Sequence, residues 1–123
     1  MERFVLGPFE HGQVTETTEI AIAKLGRAWR IDRAQYINPT GLAEDATNFF
    51  DVQVLKEGTD VAASWSTETG EEGTLTAATW VELTLSGDAK QVFAADDEVS
   101  LNLEEAATAT LPAGRLVLEC RYL

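Results

Sequence analysis

The residues whose types could do chemistry here are one histidine, one cysteine, a few serines and several runs of adjacent carboxylates. An imidazole activates a thiol only when the fold brings the two within hydrogen-bond reach. His11 lies in Glu10-His11-Gly12, a segment expected to be mobile and without an evident orienting partner. Cys120 falls on the apolar side of a terminal strand, where a small buried hydrophobe is its expected role. Ser64 and Ser66 lack a Gly-x-Ser-x-Gly context, and no glycine-rich loop that could cradle phosphate is present. The runs Glu44-Asp45, Glu71-Glu72, Asp96-Asp97-Glu98 and Glu104-Glu105 invite a calcium reading, because oxygen-rich loops suit a hard cation. Asp96 and Asp97 are best placed for it, in a turn ahead of a strand, but EF-hand spacing is missing and solvated charge is the competing reading. Glycoside hydrolysis needs two carboxylates fixed about a cleft, and nothing in the sequence fixes two. The sequence therefore predicts no catalytic residue, no metal ligand and no cofactor.

Binding is the remaining class. Trp29 and Trp65 share strand parity with aliphatic residues and are expected in the core. Trp80 has the opposite parity to Val81, Leu83 and Leu85, so it should lie on an outer face, and Phe49 stands in the same relation to Phe50. An outward Trp either docks in an interface, stacks on a sugar, or is covered by a neighbouring segment. Lys24, Arg27, Arg30 and Arg33 put four of the nine bases within ten residues. Strand alternation should divide them, Arg27 and Arg33 against Lys24 and Arg30, if Gly26 introduces a bulge. They serve either an acidic partner or the chain's own carboxylates.

The formal charge is −12, unevenly spread. Residues 1–40 hold five acids and five bases. Residues 41–114 hold fifteen acids against Lys56 and Lys90 alone, and the last nine residues are net +1. An acidic surface repels phosphate backbones, so no nucleic-acid partner is expected. No apolar run approaches the roughly 20 residues that span a bilayer, and no signal peptide is visible, so no membrane partner is expected.

The elements that must position these residues are strands. Period-two alternation dominates, and no window shows a helical stripe. Val14, Ile20 and Ile22 share one parity, as do Phe50, Val52 and Val54, then Val61, Ala63 and Trp65. Val81, Leu83 and Leu85 follow, then Val99, Leu101 and Leu103, then Leu116, Leu118, Cys120 and Tyr122. Lys56 to Asp60 and Ser86-Gly87-Asp88 read as turns, Asn38-Pro39-Thr40-Gly41 and Leu111-Pro112-Ala113-Gly114 likewise, and Thr67 to Gly73 as an exposed loop. The expectation is an all-β protein: an antiparallel two-sheet β-sandwich, jelly-roll-like, of seven to eight strands. Residues 13–123 form its single domain, with a core of Phe50, Val52, Val54, Trp65, Val81, Leu83, Leu101, Leu103, Leu116 and Leu118.

Several pieces of this pattern resemble the small all-β accessory proteins that decorate the outside of tailed-phage heads. They are Trp29 to Tyr36, Asn48-Phe49-Phe50, Val61 to Ser66, the Ser86-Gly87 turn, Asp97 ahead of a strand, and Pro112-Ala113-Gly114 before the last strand. The resemblance spans about residues 14–123 and rests on turn and core elements. It implies a non-enzymatic virion structural protein of the cement type, on the outer head surface, made in the host cytoplasm. The implied partners are the major capsid protein lattice and further copies of the chain, as in a trimer. A carbohydrate-binding module, or a fibre or baseplate component, is the alternative on the same fold.

Residues 1–12 stand apart from the alternation and are expected to form an N-terminal arm. Phe4, Val5, Leu6 and Phe9 surround a Gly7-Pro8 break, and Arg3 adds a charge. A segment this apolar should be ordered against something. Either it adds as a strand to the shell or to a neighbouring copy, or it folds back over its own sandwich and covers Trp80. Arg3, Phe4, Val5, Leu6, Phe9, Phe49 and Trp80 are the candidate contact residues.

Overall fold

The structure is a computed structural model and describes residues 2–123. The described residues are all-β, with a single turn of 3-10 helix at Ala89–Gln91. Its ten strands are β1 (Arg3–His11), β2 (Thr18–Ala23), β3 (Trp29–Ile37), β4 (Phe50–Lys56), β5 (Asp60–Ser66), β6 (Trp80–Glu82), β7 (Thr84–Leu85), β8 (Val92–Phe93), β9 (Val99–Glu105) and β10 (Gly114–Tyr122). The count exceeds the expected seven to eight because the N-terminal segment is itself a strand. Short pieces around Trp80 to Phe93 also pair with different neighbours instead of forming one strand.

Two five-stranded antiparallel sheets result, in a sandwich-like arrangement. The first runs β1-β10-β3-β6, with β8 also paired to β3; the second runs β2-β9-β4-β5-β7. Their apolar faces share one core. Phe50, Val52, Val54, Leu83, Leu101, Leu103, Leu116 and Leu118 are buried as parity requires, while Trp65 and Val81 are half-buried at its margin. Trp29 is fully buried and stacks on Phe93 at 4.3 Å between ring centroids. Removing such side chains from water contributes roughly 1.5–3 kcal/mol each, enough to hold the sheets together without a disulfide. The loop after β5 is less exposed than its polarity suggests. Thr67 is fully buried, and its hydroxyl accepts from the Phe50 amide at 2.9 Å, closing the end of β4.

The expected arm is corrected by this arrangement. Arg3–His11 pairs along its length with β10, from Arg3 opposite Arg121 to His11 opposite Gly114. Gly7-Pro8 is a bulge inside the strand, since the register shifts between Leu6 and Phe9 and the ladder then resumes. Gly7 sits at φ +106, and a side chain there would press on the Leu116 carbonyl at 2.7 Å. Phe4, Leu6 and Phe9 are half-buried against the shared core, which is why the segment is apolar. It does not cover Trp80. Trp80 lies on β6, at the opposite edge of the same sheet.

Candidate functional site

The outer face of the β1-β10-β3-β6 sheet collects the residues most suited to recognition. Core parity on β10 is held by Leu116, Leu118 and Cys120, so Arg115, Val117, Glu119 and Arg121 point outward. Register then assembles the outer rows across the strands. Arg3 lies opposite Arg121, and Arg121 opposite Arg30. Val5 lies opposite Glu119, and Glu119 opposite Arg33. Val117, Gln35 and Glu82 make the next row; Glu10, Arg115, Ile37 and Trp80 make the last. Five of the nine bases therefore share one face with four acids, Glu10, Asp32, Glu82 and Glu119. The rest of the chain carries four bases and seventeen acids. Val5 is 61% exposed and Trp80 45%, two of the three exposed large hydrophobics among the described residues. The third is the terminal Leu123.

Arg30 and Arg33 were expected on opposite faces and are not. The register of β10 on β3 shifts between Glu119 and Cys120, leaving Asp32 as the extra residue, so positions of both parities come to the outside. Asp32 then bridges Arg121 at 3.2 Å and Arg30 at 3.5 Å. Arg33 pairs with Glu82, its Nε donating at 2.6 Å, and with Glu119 at 3.2 Å. The hydrogen bond to Glu82 holds the Arg33 pKa above its ordinary value. Arg27 lies 4.0 Å over the Tyr122 ring and 3.6 Å from Glu2. Most of the clustered bases thus meet carboxylates of this same chain. Arg3 and Arg115 have no ion-pair partner among the described residues.

The outer face of the other sheet differs in kind. Its rows are Glu104, Asp51 and Ser66, then Glu19, Asn102, Gln53, Ser64 and Thr84, with no Lys or Arg among them. Glu72 folds over this face, accepting from the Ser66 amide at 2.7 Å and the Thr84 hydroxyl at 3.1 Å.

The other sequence-predicted residues scatter. Phe49, half-buried, precedes β4 in the second sheet, so it shares no face with Trp80. Phe4 stacks on Tyr122 at 4.4 Å. Asp97 accepts from the Ala94 amide at 2.8 Å, and Asp45 from the amides of Thr47 and Asn48, which lower the Asp45 pKa. These carboxylates cap their own turns. No group of three or more His, Cys, Asp or Glu is gathered around a common point among the described residues.

His11 is placed differently from the sequence reading. It is buried, not mobile. Its Nε2 lies 2.6 Å from the Tyr36 hydroxyl, and its Nδ1 lies 2.7 Å from the Gly12 carbonyl. Since that carbonyl only accepts, Nδ1 carries the proton and Nε2 accepts from Tyr36. The Asn38 amide donates to Tyr36 at 3.3 Å and to the Pro112 carbonyl at 2.7 Å. Burial lowers the His11 pKa, with the Gly12 bond opposing, and burial pushes the Tyr36 phenol up to about 12. Cys120 is likewise pushed up to about 12, by burial and then by Asp32 and Glu119. The thiol and the imidazole are therefore held in their uncharged forms, and they lie at separate positions of the first sheet: Cys120 opposite Phe4, His11 opposite Gly114. The sequence signal for the His11 network was available in Tyr36, a core-parity residue whose hydroxyl must find a partner once buried.

Comparisons with family models, with curated proteins and with solved structures find no match to this chain.

Proposed function

We propose that this protein is a non-enzymatic structural protein of a tailed-phage virion, which docks on the outer surface of the head and stabilises it. The sequence resemblance supplies the class, including its jelly-roll-like kinship. The observation that carries the reading is the outer face of the β1-β10-β3-β6 sheet. It combines five arginines, exposed Val5 and exposed Trp80 on one sheet surface, whereas the rows of the opposite face carry no base among the described residues. Arg and Trp are enriched where proteins meet proteins, and desolvated arginine and aromatic anchors dominate binding energy. A shell presents many identical sites, so a modest contact gains strength from effective concentration when copies are linked.

Undecorated shells mixed with the purified protein test the reading. Added density on the shell exterior, with the arginine face turned inward, is the expected image. Arg115→Glu and Trp80→Ala should each lower occupancy while leaving the circular dichroism spectrum unchanged. Shells that stay bare at saturating protein would overturn it. Exposed Trp80 also favours a second reading, a carbohydrate-binding module. Glycan-array binding that is lost in Trp80→Ala would support that alternative. Location at a fibre or baseplate in a virion reconstruction would reassign the partner while keeping the fold.

A further inference from the structure

We infer that two copies of this chain pair through β1, antiparallel about a two-fold axis at Phe4, joining their first sheets into one. β1 pairs with β10 on one side and leaves the backbone groups of its other side free. The Tyr122 amide donates to the Glu2 carbonyl at 2.9 Å, so Glu2 is in a hydrogen-bonded pair with β10. Alternation then directs the backbone of Phe4 and Leu6 toward β10, and that of Arg3 and Val5 toward the open edge. Beyond Leu6 the Gly7-Pro8 bulge interrupts the edge, and Pro8 has no N–H to give. The pairing-competent stretch is therefore short, from Glu2 to Leu6, and centred on Phe4.

A two-fold axis there is self-complementary. Arg3 of each copy lies opposite Val5 of the other, and each pair exchanges two N–H···O bonds, four in all. Phe4 meets its own counterpart in the close, non-bonded position, where opposite Cβ atoms are about 4.5–5.5 Å apart. This covers the open side of a ring that is half-buried against Tyr122 and Trp29. On the outer face, Arg3 of one copy reaches over Val5 toward Glu119 of the other, two strands or about 10 Å away between backbones. Both copies lend side chains across that gap. The hollow of about 200 Å³ lined by Arg3, Val5, Asp32 and Glu119 lies at this place. The pairing thus uses two features the single chain leaves idle: an arginine without an ion-pair partner and the most exposed large hydrophobic among the described residues. The other long edge, β2, is unsuited. Its outer face carries Glu19 and, with its neighbours Asn102, Gln53, Ser64 and Thr84, no base, so a second copy would find no cation there to meet that carboxylate.

The inference concerns the isolated protein and does not depend on the head-decoration reading. Sedimentation of the full chain at tens of micromolar should give twice the 13.4 kDa monomer mass. Residue-resolved amide exchange should show Arg3 and Val5 protected at high concentration and released on dilution, with Phe4 and Leu6 protected throughout. Val5→Pro removes one bridging N–H per copy at an edge position that tolerates proline, and it should weaken association at least tenfold with the fold retained. If Val5→Pro fails to fold, Val5→Asp with the same two measurements replaces it. A monomeric mass at all concentrations, with Arg3 and Val5 exchanging as free amides, overturns the inference. So does a dimer that survives both substitutions.

Discussion

Gly114→Ala tests the end of the first sheet where β1, β3 and β10 meet. A methyl group on Gly114 would overlap the Tyr36 hydroxyl, and would lie 2.7 Å from the ring carbon bearing it and 2.9 Å from the Ile37 carbonyl. Tyr36 is fully buried. To admit the methyl it must shift and break its 2.6 Å bond to His11. Overpacking of this kind costs roughly 1–3 kcal/mol. A further 1–3 kcal/mol, roughly, follows from leaving a buried His11 nitrogen unpaired. The sum, about 2–6 kcal/mol, should lower the urea midpoint by roughly 1 M or more at the usual slope for small domains. A double-mutant cycle with Tyr36→Phe isolates the mechanism, since removing the hydroxyl removes the worst overlap. Gly114→Ala should then cost less in the Tyr36→Phe background, by about 1 kcal/mol or more. An equal cost in both backgrounds would refute the argument that the hydroxyl is what excludes a side chain there.

The His11 network also predicts a pH dependence. Its folded pKa is depressed below the ordinary 6.5, so the folded state binds fewer protons than the unfolded one. Stability should be full above pH 6.5 and decline as pH falls from there through the folded value. Urea midpoints in the wild type and in His11→Gln, compared between pH 7.5 and 5, should show the decline only in the wild type. Cys120, with its pKa near 12 and little exposure, should resist a thiol-specific chromophoric reagent at pH 8 and react fully in guanidinium. Leu118→Ala should cost roughly 2–5 kcal/mol, read as a lowered denaturant midpoint, because that side chain is fully buried. Deleting residues 2–9 should unfold or strongly destabilise the domain by circular dichroism. The deletion strips a paired strand from β10 and uncovers the core beside Phe4, Leu6 and Phe9.

Strand parity carried the fold a long way. Phe50, Val52, Val54, Leu83, Leu101, Leu103, Leu116, Leu118 and Cys120, assigned to the core by alternation, are buried, Trp65 and Val81 reach only its margin, and Trp80 is on the outside. What parity missed has local causes. Around Gly7-Pro8 the apolar residues Phe4, Leu6 and Phe9 fall on mixed parities, and only the bulge puts all three against the core. Asp32 likewise shifts Arg30 and Arg33 onto one face, so counting by twos divided a pair that the sheet unites. Trp80 and Phe49 looked equivalent in sequence, each outward beside a core residue, but they belong to different sheets. His11 read as mobile because its partner, Tyr36, is twenty-five residues away, and no local pattern links them.

The choice of cation separates the two faces further than charge counting does. All five bases on the outer face of the first sheet are arginines, while the three lysines, Lys24, Lys56 and Lys90, lie elsewhere. A guanidinium is weakly hydrated and planar, so it can be desolvated against carboxylates and aromatic rings at lower cost than an ammonium. A face meant only to keep an acidic chain in solution has no need of that property. Arg33 is hydrogen-bonded to Glu82 and Glu119, and Arg30 and Arg121 lie 3.5 Å and 3.2 Å from Asp32, contacts that would reduce the side-chain ordering a binding event must impose. The remaining surface, with seventeen acids against four bases, repels its like over a screening length of about 8 Å. Acidic neighbours packed closely on any surface are thereby driven to turn that side outward. Under the proposed docking on a shell, repulsion from one side and arginines on the other would orient the molecule by the same charge distribution, with the β1-β10-β3-β6 face toward that shell.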